Sequence, residues 1–95
     1  AYARKMFGMY GGKEEWVRIE CDNSFAGVMI DRFGKDVSMI RLDDKRFVVN
    51  VEVAVSRQFL AWIIGLGEGV TLAGPQNVVE MMNAEIDRLI KQYKK

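Results

Sequence analysis

The chain has 95 residues, of which 49% are hydrophobic and 28% charged, and a formal net charge of +1 at pH 7. This length corresponds to one small domain that can fold alone. Its 14 basic and 13 acidic residues nearly balance, which excludes binding to nucleic acid by charge alone. The chain has no histidine and one cysteine, so it lacks the commonest general base and cannot form a zinc cluster or an internal disulfide.

No apolar run approaches the ~20 residues that cross a bilayer, and no secretory signal opens the chain. We therefore expect a cytoplasmic protein that makes no membrane contact. Residues 1–7 read as the end of an element that begins earlier, and the first residue is not a methionine. We expect a fragment of a larger protein, with residues 1–13 as a linker from an upstream domain and residues 14–95 as one folded domain.

The first half of the domain opens with a predicted strand and helix. The strand covers residues 14–21, and one of its faces carries Val17, Ile19 and Cys21. The helix is predicted to be capped by Asn23 or Ser24 and to end at Gly34. Its apolar positions recur at three- and four-residue steps and are Phe25, Val28, Met29 and Phe33.

A hairpin is predicted next, with arms at residues 37–42 and 47–55 and a turn at residues 43–45. The second arm has the most regular alternation in the chain. Its inner positions are Phe47, Val49, Val51, Val53 and Val55, and its outer positions are Val48, Asn50, Glu52 and Ala54. The density of β-branched residues favours a central strand.

The second half predicts a helix, a short strand and a terminal helix. Ser56 is placed to cap the first of these helices, and Gly65 or Gly67 to end it. Its inner stripe is Phe59, Leu60, Ile63 and Ile64. The strand covers residues 70–73, and Pro75 suits the first position of the terminal helix. That helix carries one apolar face of Val78, Val79, Met82, Ile86, Leu89, Ile90 and Tyr93.

The element order is therefore βαββαβ followed by a helix. Two right-handed β-α-β halves in this order most simply form a four-stranded antiparallel sheet with helices on one face. The predicted fold class is α+β, ferredoxin-like, with an additional C-terminal helix.

The stretch at residues 47–75 is the most informative, and it reads FVVNVEVAVSRQFLAWIIGLGEGVTLAGP. With the following helix that ends in KQYKK, it resembles the C-terminal extension called WCX, which follows the WYL domain in bacterial transcription regulators. The resemblance continues upstream as spaced apolar and glycine positions in Phe7-Gly8-Met9-Tyr10, Val17-Arg18-Ile19 and Ile30-Asp31-Arg32-Phe33-Gly34.

This resemblance implies the ferredoxin-like fold and a role in transcription regulation. In such regulators an N-terminal helix-turn-helix binds DNA, the WYL domain senses a nucleic-acid or nucleotide effector, and WCX helps to dimerise the protein and transmit the signal. The partners implied are the protein's own WYL and helix-turn-helix domains, a second subunit, and DNA through the domain absent here. Both the helix-turn-helix and the WYL tripeptide are missing from this sequence.

No motif in the sequence predicts catalysis, a cofactor or a metal ion, so we expect a domain that is not an enzyme. Asp43 and Asp44 fall in a hairpin turn, where acidic residues cap and solvate the backbone. The glycines of Gly65-Leu66-Gly67-Glu68-Gly69 run from a helix into a strand, whereas a dinucleotide-binding loop runs from a strand into a helix.

The outer sheet face is the predicted partner or effector surface, on strand parity alone. Its members are Trp16, Arg18, Asn50 and Glu52, with Arg32 added as a candidate for anionic effectors. RNA-binding domains of this fold carry stacking aromatic residues on a central strand. The outer positions of the corresponding strand in this sequence contain no aromatic residue. An exposed tryptophan is more often covered by a neighbouring domain than used for base stacking, so docking is favoured.

Three further alternatives remain open from the sequence. Trp62 sits at the edge of its helix stripe, where it completes the core, contacts a subunit or lines a ligand pocket. The terminal helix packs its apolar face on its own domain, or presents part of it to another subunit. The main alternative function is that of a small-molecule sensor of the ACT type, because ACT domains share the βαββαβ order. A small ferredoxin-like enzyme is the least supported of the functions considered.

Overall fold

A computed structural model describes residues 5–7 and 12–94 of the chain. Its four strands are β1 (Lys13–Asp22), β2 (Ser38–Arg41), β3 (Arg46–Val55) and β4 (Val70–Gly74), and its α-helices are α1 (Ala26–Phe33), α2 (Arg57–Gly65) and α3 (Gln76–Tyr93). All strand pairs are antiparallel, and the sheet order is β2-β3-β1-β4. The predicted ferredoxin-like α+β fold with a C-terminal helix is confirmed. None of the helices in the described part combines the length and apolar content that a membrane crossing requires.

The pairing of β1 with β3 forms the centre of the sheet. Ten residue pairs run without interruption from Lys13↔Val55 to Asp22↔Arg46. Because side chains alternate along a strand, this single register assigns every residue of both strands to one of two faces. β3 lies between β2 and β1, which confirms its prediction as an interior strand.

The core lies between the sheet and the three helices. Its fully buried strand members are Val17, Ile19, Cys21, Val49 and Val53, and its helical members are Met29, Phe33, Phe59, Leu60, Ile63 and Val78. All three helices therefore cover the same face of the sheet. The opposite face is left without a helical layer among the described residues.

The predicted cap of the first helix is wrong. A short 3₁₀ turn at Asn23–Phe25 precedes α1, and neither element has a side-chain cap hydrogen bond. Asn23 instead donates its side-chain amide to the carbonyl of Asp44, 3.0 Å away, and so ties the end of β1 to the hairpin turn. The predicted ending is confirmed, because Gly34 follows the helix with a φ of 98°, which favours glycine.

The cap of the second helix is confirmed, and that of the third differs by one position. The Ser56 hydroxyl oxygen accepts a hydrogen bond from the Phe59 N–H, 3.3 Å away. Pro75 is the N-cap of α3 rather than its first helical residue, and its carbonyl accepts the N–H groups of Val78 and Val79, each at 3.0 Å.

Two apolar positions in the helical patterns are exposed, and one of them, Ile64, was predicted to face inward. Ile64 on α2 is 43% exposed, and Val28 on α1 is 36% exposed. Both lie beside a residue that is fully buried, Ile63 and Met29 respectively. Each short helix therefore contacts the sheet through a stripe narrower than its apolar pattern, because helical periodicity does not specify how wide the contact is.

We expect Phe59→Ala to lower the free energy of unfolding by about 3–5 kcal/mol, because it removes a completely buried ring and leaves a cavity. The matched control is Ile64→Ala on the same helix, for which we expect a loss of about 1 kcal/mol or less. Urea unfolding followed by circular dichroism measures both. Equal losses for the two variants would show that the inner stripe of α2 is assigned incorrectly.

Candidate functional site

The uncovered sheet face brings together four of the five residues predicted for the partner or effector surface. Trp16 is directly opposite Glu52, and Arg18 is directly opposite Asn50, in the β1–β3 register. The indole of Trp16 is exposed over 66% of its surface. Strand parity therefore predicted the placement of these four side chains correctly, while their role stays a prediction. We call them the sheet-face group.

Charges on this face are partly neutralised by ion pairs. The Lys5 ammonium lies 2.5 Å from a Glu52 carboxylate oxygen and 3.6 Å from one of Glu14. The hydrogen bond with Glu52 raises the pKa of Lys5 above its ordinary value. Arg18 lies 3.7 Å from Glu20 on the same strand. Because these pairs are exposed, they orient side chains and contribute little to stability.

A shallow groove of about 420 Å³ runs along one side of the sheet-face group, and its lining includes Lys5, Trp16, Asp36, Ser38, Asn50 and Glu52. The indole offers a flat apolar surface, and the Asn50 amide offers both a donor and an acceptor. Two carboxylates face one lysine in this lining. An anionic ligand such as a nucleotide phosphate is therefore disfavoured electrostatically relative to a neutral ring or a protein side chain.

Arg32 lies apart from the sheet-face group, on α1 in the helical layer. Its guanidinium carbon is 3.8 Å from the centre of the Phe7 ring, and its Nη2 donates to the Met6 carbonyl at 2.6 Å. Burial lowers the pKa of Arg32 from its ordinary value. The residue holds the N-terminal segment against the domain, and the structure does not bring it to the predicted surface.

α3 packs on its own domain through its first half and leaves its second half exposed. Val78 is completely buried and Met82 packs against the core. Further along, an apolar stripe continues at helical spacing with Ile86, Leu89, Ile90 and Tyr93. Ile86 is 42% exposed, Ile90 52% and Tyr93 73%. We call these four residues the α3 stripe.

An acidic residue fixes α3 at the point where the exposed stripe begins. Glu85 is nearly buried, and its Oε1 accepts from Arg88 at 2.5 Å and lies 3.0 Å from Arg57 at the start of α2. The Arg88 hydrogen bonds, followed by the charge of Arg57, lower the pKa of Glu85 below its ordinary value. The contact with Arg57, whose side chain is largely exposed, connects α3 to the start of α2.

The Asp43 carboxylate and the Cys21 thiol, which could suggest a catalytic or reactive site, have structural roles. Asp43 accepts the backbone N–H groups of Lys45 and Arg46, each at 2.9 Å, so it closes the hairpin turn as predicted. Desolvation raises the pKa of the buried Cys21 thiol to about 11, which leaves it unreactive at neutral pH. In the part of the chain that the structure describes, no cluster of potential metal ligands occurs.

Comparison with known families decides the assignment. The family model of the WCX domain matches residues 13–90, which is most of the chain. The chain belongs to the WCX domain family. No curated protein sequence matches it. The match begins at the first residue of β1 and ends within α3, so it spans all four strands, α1, α2 and most of α3, whereas residues 5–7 lie outside it.

Two contributors to the structure of the WCX domain escaped prediction from sequence. The ion pair of Glu85 with Arg88 could be predicted, because Arg88 follows Glu85 by three residues on one helix face. The second ion pair of Glu85, with Arg57, could not, because nothing in the sequence indicates that the two residues meet. Phe7 lies in the segment assigned to a linker, and although it belongs to the positions that resemble the family, no periodicity there indicates that its ring is buried. It is nevertheless 7% exposed and belongs to the core cluster.

The Glu85 ion pairs predict a defined dependence of stability on pH. Its pKa is lowered in the folded state, so its contribution is present above its ordinary value of 4.5 and is lost as the pH falls through the folded-state value. We expect Glu85→Gln to be less stable than the parent at pH 7 and to lose less stability on acidification below about pH 4.5.

The control for this experiment is Glu80→Gln, an exposed position on the same helix. Urea unfolding at a series of pH values compares both variants with the parent, and the shared acidic groups cancel in the difference. Parallel curves for Glu85→Gln and the parent would show that Glu85 is not stabilised by its arginines.

Proposed function

We propose that this WCX domain is a non-catalytic dimerisation and signal-transmitting domain at the C-terminus of a WYL-type bacterial transcription regulator. DNA binding in that regulator belongs to a helix-turn-helix outside the sequence described here. The observation that carries the proposal is the α3 stripe, of which Ile86, Ile90 and Tyr93 are exposed, on a domain that matches the WCX family model. A second copy of this chain is the partner proposed for the stripe.

The geometry of α3 supports an antiparallel contact between two copies. Asp87 lies on α3, and Lys94, seven residues later, is its C-cap, whose N–H still donates to the Ile90 carbonyl. Seven residues are close to two helical turns, so the two lie on the same flank of the stripe. In an antiparallel pair centred near Ile90, each Asp87 faces the Lys94 of the other subunit. The contact would bury the apolar stripe and pair opposite charges at its edge, which favours this register over others.

The proposal predicts that Ile90→Glu weakens self-association by at least about tenfold, because it places a charge at the centre of the apolar contact. The matched control is Ile40→Glu on the sheet face, since Ile90 and Ile40 are 52% and 56% exposed. Sedimentation equilibrium over a range of protein concentrations gives both dissociation constants. A parent chain that stays monomeric at millimolar concentration would contradict the proposal.

A charge exchange tests the register separately. Asp87→Lys alone should weaken the dimer, and the double variant Asp87→Lys, Lys94→Asp should restore it, because the opposite charges face each other again. An Ile40→Glu variant that dissociates while Ile90→Glu remains dimeric would move the interface to the sheet face.

Effector sensing on the sheet face is a second candidate, supported by the 66% exposure of Trp16 beside the polar Asn50. A ligand with a neutral ring and a polar edge suits this pair better than an anion. The same surface also suits a neighbouring domain of the regulator, which would cover the indole and leave no room for a small ligand.

This second candidate predicts saturable NMR shifts on β1 and β3 when the labelled chain is titrated with nucleobases or aromatic amino acids. The shifts should persist at moderate salt and disappear in Trp16→Ala, whereas an Arg41→Ala variant on the neighbouring edge strand should retain them. Short single-stranded DNA and nucleotides serve as the anionic comparison. Diffuse, salt-sensitive shifts near the terminal basic residues would leave the sheet face without an effector role.

A further inference from the structure

The ring of Phe7 is enclosed by aromatic side chains from α1 and α2. Its centroid lies 5.1 Å from that of Phe59, 5.3 Å from Trp62 and 6.2 Å from Phe33. Phe59 meets it edge-on, at an interplanar angle of 70°, a geometry that aromatic pairs prefer. The guanidinium of Arg32 covers the ring at 3.8 Å. We call the enclosure formed by Arg32, Phe33, Phe59 and Trp62 the Phe7 socket.

Polar contacts hold the backbone on either side of this ring. The Met6 carbonyl accepts from Arg32 at 2.6 Å, and the Phe7 carbonyl accepts from the Ser56 hydroxyl at 3.2 Å. Both bonds are made to backbone carbonyls, which any peptide carries. Specificity for the bound segment therefore comes from the aromatic ring and from Lys5, whose ammonium reaches Glu52.

The sheet is formed without a contribution from this segment. β1 begins at Lys13, and its pairing with β3 is complete from that residue onward. Between Phe7 and Lys13 the sequence contains Gly8, Gly11 and Gly12. At Gly12 a Cβ atom would lie 1.6 Å from the Val55 carbonyl oxygen, so only glycine allows the chain to pass the end of β3 this closely.

We propose that the Phe7 socket is a peptide-binding site that takes a phenylalanine side chain together with the carbonyls beside it. Residues 5–7 of the same chain occupy it as a releasable latch. Docking ties residues 5–7 to the helical layer of the WCX domain, and their release leaves the fold of the domain in place. The inference goes beyond the proposed dimer and does not depend on it.

The latch contacts two other parts of the domain, the start of α2 and the sheet-face group. Ser56 caps α2 and also holds the Phe7 carbonyl, and Lys5 bridges to Glu52 in the sheet-face group. Movement of the segment therefore changes contacts both at the start of α2 and on the uncovered sheet face. A domain that transmits signals requires such a connection between the segment that enters it and its own surfaces.

A complementation experiment on the 95-residue chain tests the proposal. The chain contains two tryptophans, so Trp16→Phe leaves Trp62 as the single fluorescent reporter beside the socket. In that background, Phe7→Ala should shift Trp62 emission to longer wavelength. A peptide of residues 1–11 should then return the emission to that of the parent in a saturable titration.

Two controls define specificity. The same peptide with Phe7→Ala should bind at least about tenfold more weakly, and the peptide should leave the parent chain unchanged because its socket is filled. A Phe7→Leu chain, which keeps an apolar side chain in the socket, should require more peptide than the Phe7→Ala chain for the same response.

The outcomes separate clearly. A Phe7→Ala chain that folds and responds to the peptide supports the proposal. An unfolded Phe7→Ala chain, unchanged Trp62 emission in this variant, or equal binding of the two peptides would overturn it. Because the reporter lies within one chain, failure of dimerisation leaves this result unaffected.

Discussion

The uninterrupted antiparallel register between β1 and β3 is the constraint on which the rest of the molecule depends. Ten consecutive pairs commit the two central strands to one alternation of faces. A shift by one residue would bring Trp16 and Arg18 into the core and expose Val17 and Ile19. The burial of Ile19 and Val49, which are paired across the strands and completely inaccessible, fixes the register against such a shift.

That register gives the two faces different physical characters. The covered face is apolar and closed by three helices, while the uncovered face carries an exposed indole among charges that are largely paired with one another. A surface of this kind has little long-range attraction for an anion. It suits a contact with a neighbouring protein surface better than the capture of a nucleic acid.

The helical layer is held by two contacts of a different kind from those of the sheet. The Phe7 socket joins α1 and α2 through aromatic rings, with Phe33 and Trp62 meeting edge-on at 5.6 Å. Glu85 joins α3 to α2 through Arg57. Both contacts meet at α2, which places this nine-residue helix between the N-terminal segment and the helix proposed to form the dimer contact. Displacement of α2 would therefore affect both.

Periodicity in the sequence predicted the strands well, because side chains alternate between the two faces of a strand and neighbouring residues are enough to show that alternation. The paired placement of Trp16, Arg18, Asn50 and Glu52 followed from parity, and the Ser56 cap followed from the preference of its hydroxyl for helix starts. Helix faces were predicted less accurately. Ile64 was predicted as an inner position and is exposed, and the sequence left open how much of the apolar face of α3 packs on its own domain. Apolar spacing indicates a face but not how much of it the domain itself can cover.

The sequence by itself determined the element order, the central strand and the family resemblance, all of which depend on local patterns of apolar residues and glycines. Only the tertiary structure decided which apolar residues are enclosed. Phe7 enters the core, Arg32 covers its ring and Glu85 is held by Arg57, each through a partner distant in the chain. Such contacts depend on how elements pack in three dimensions, and no pattern along one segment records them.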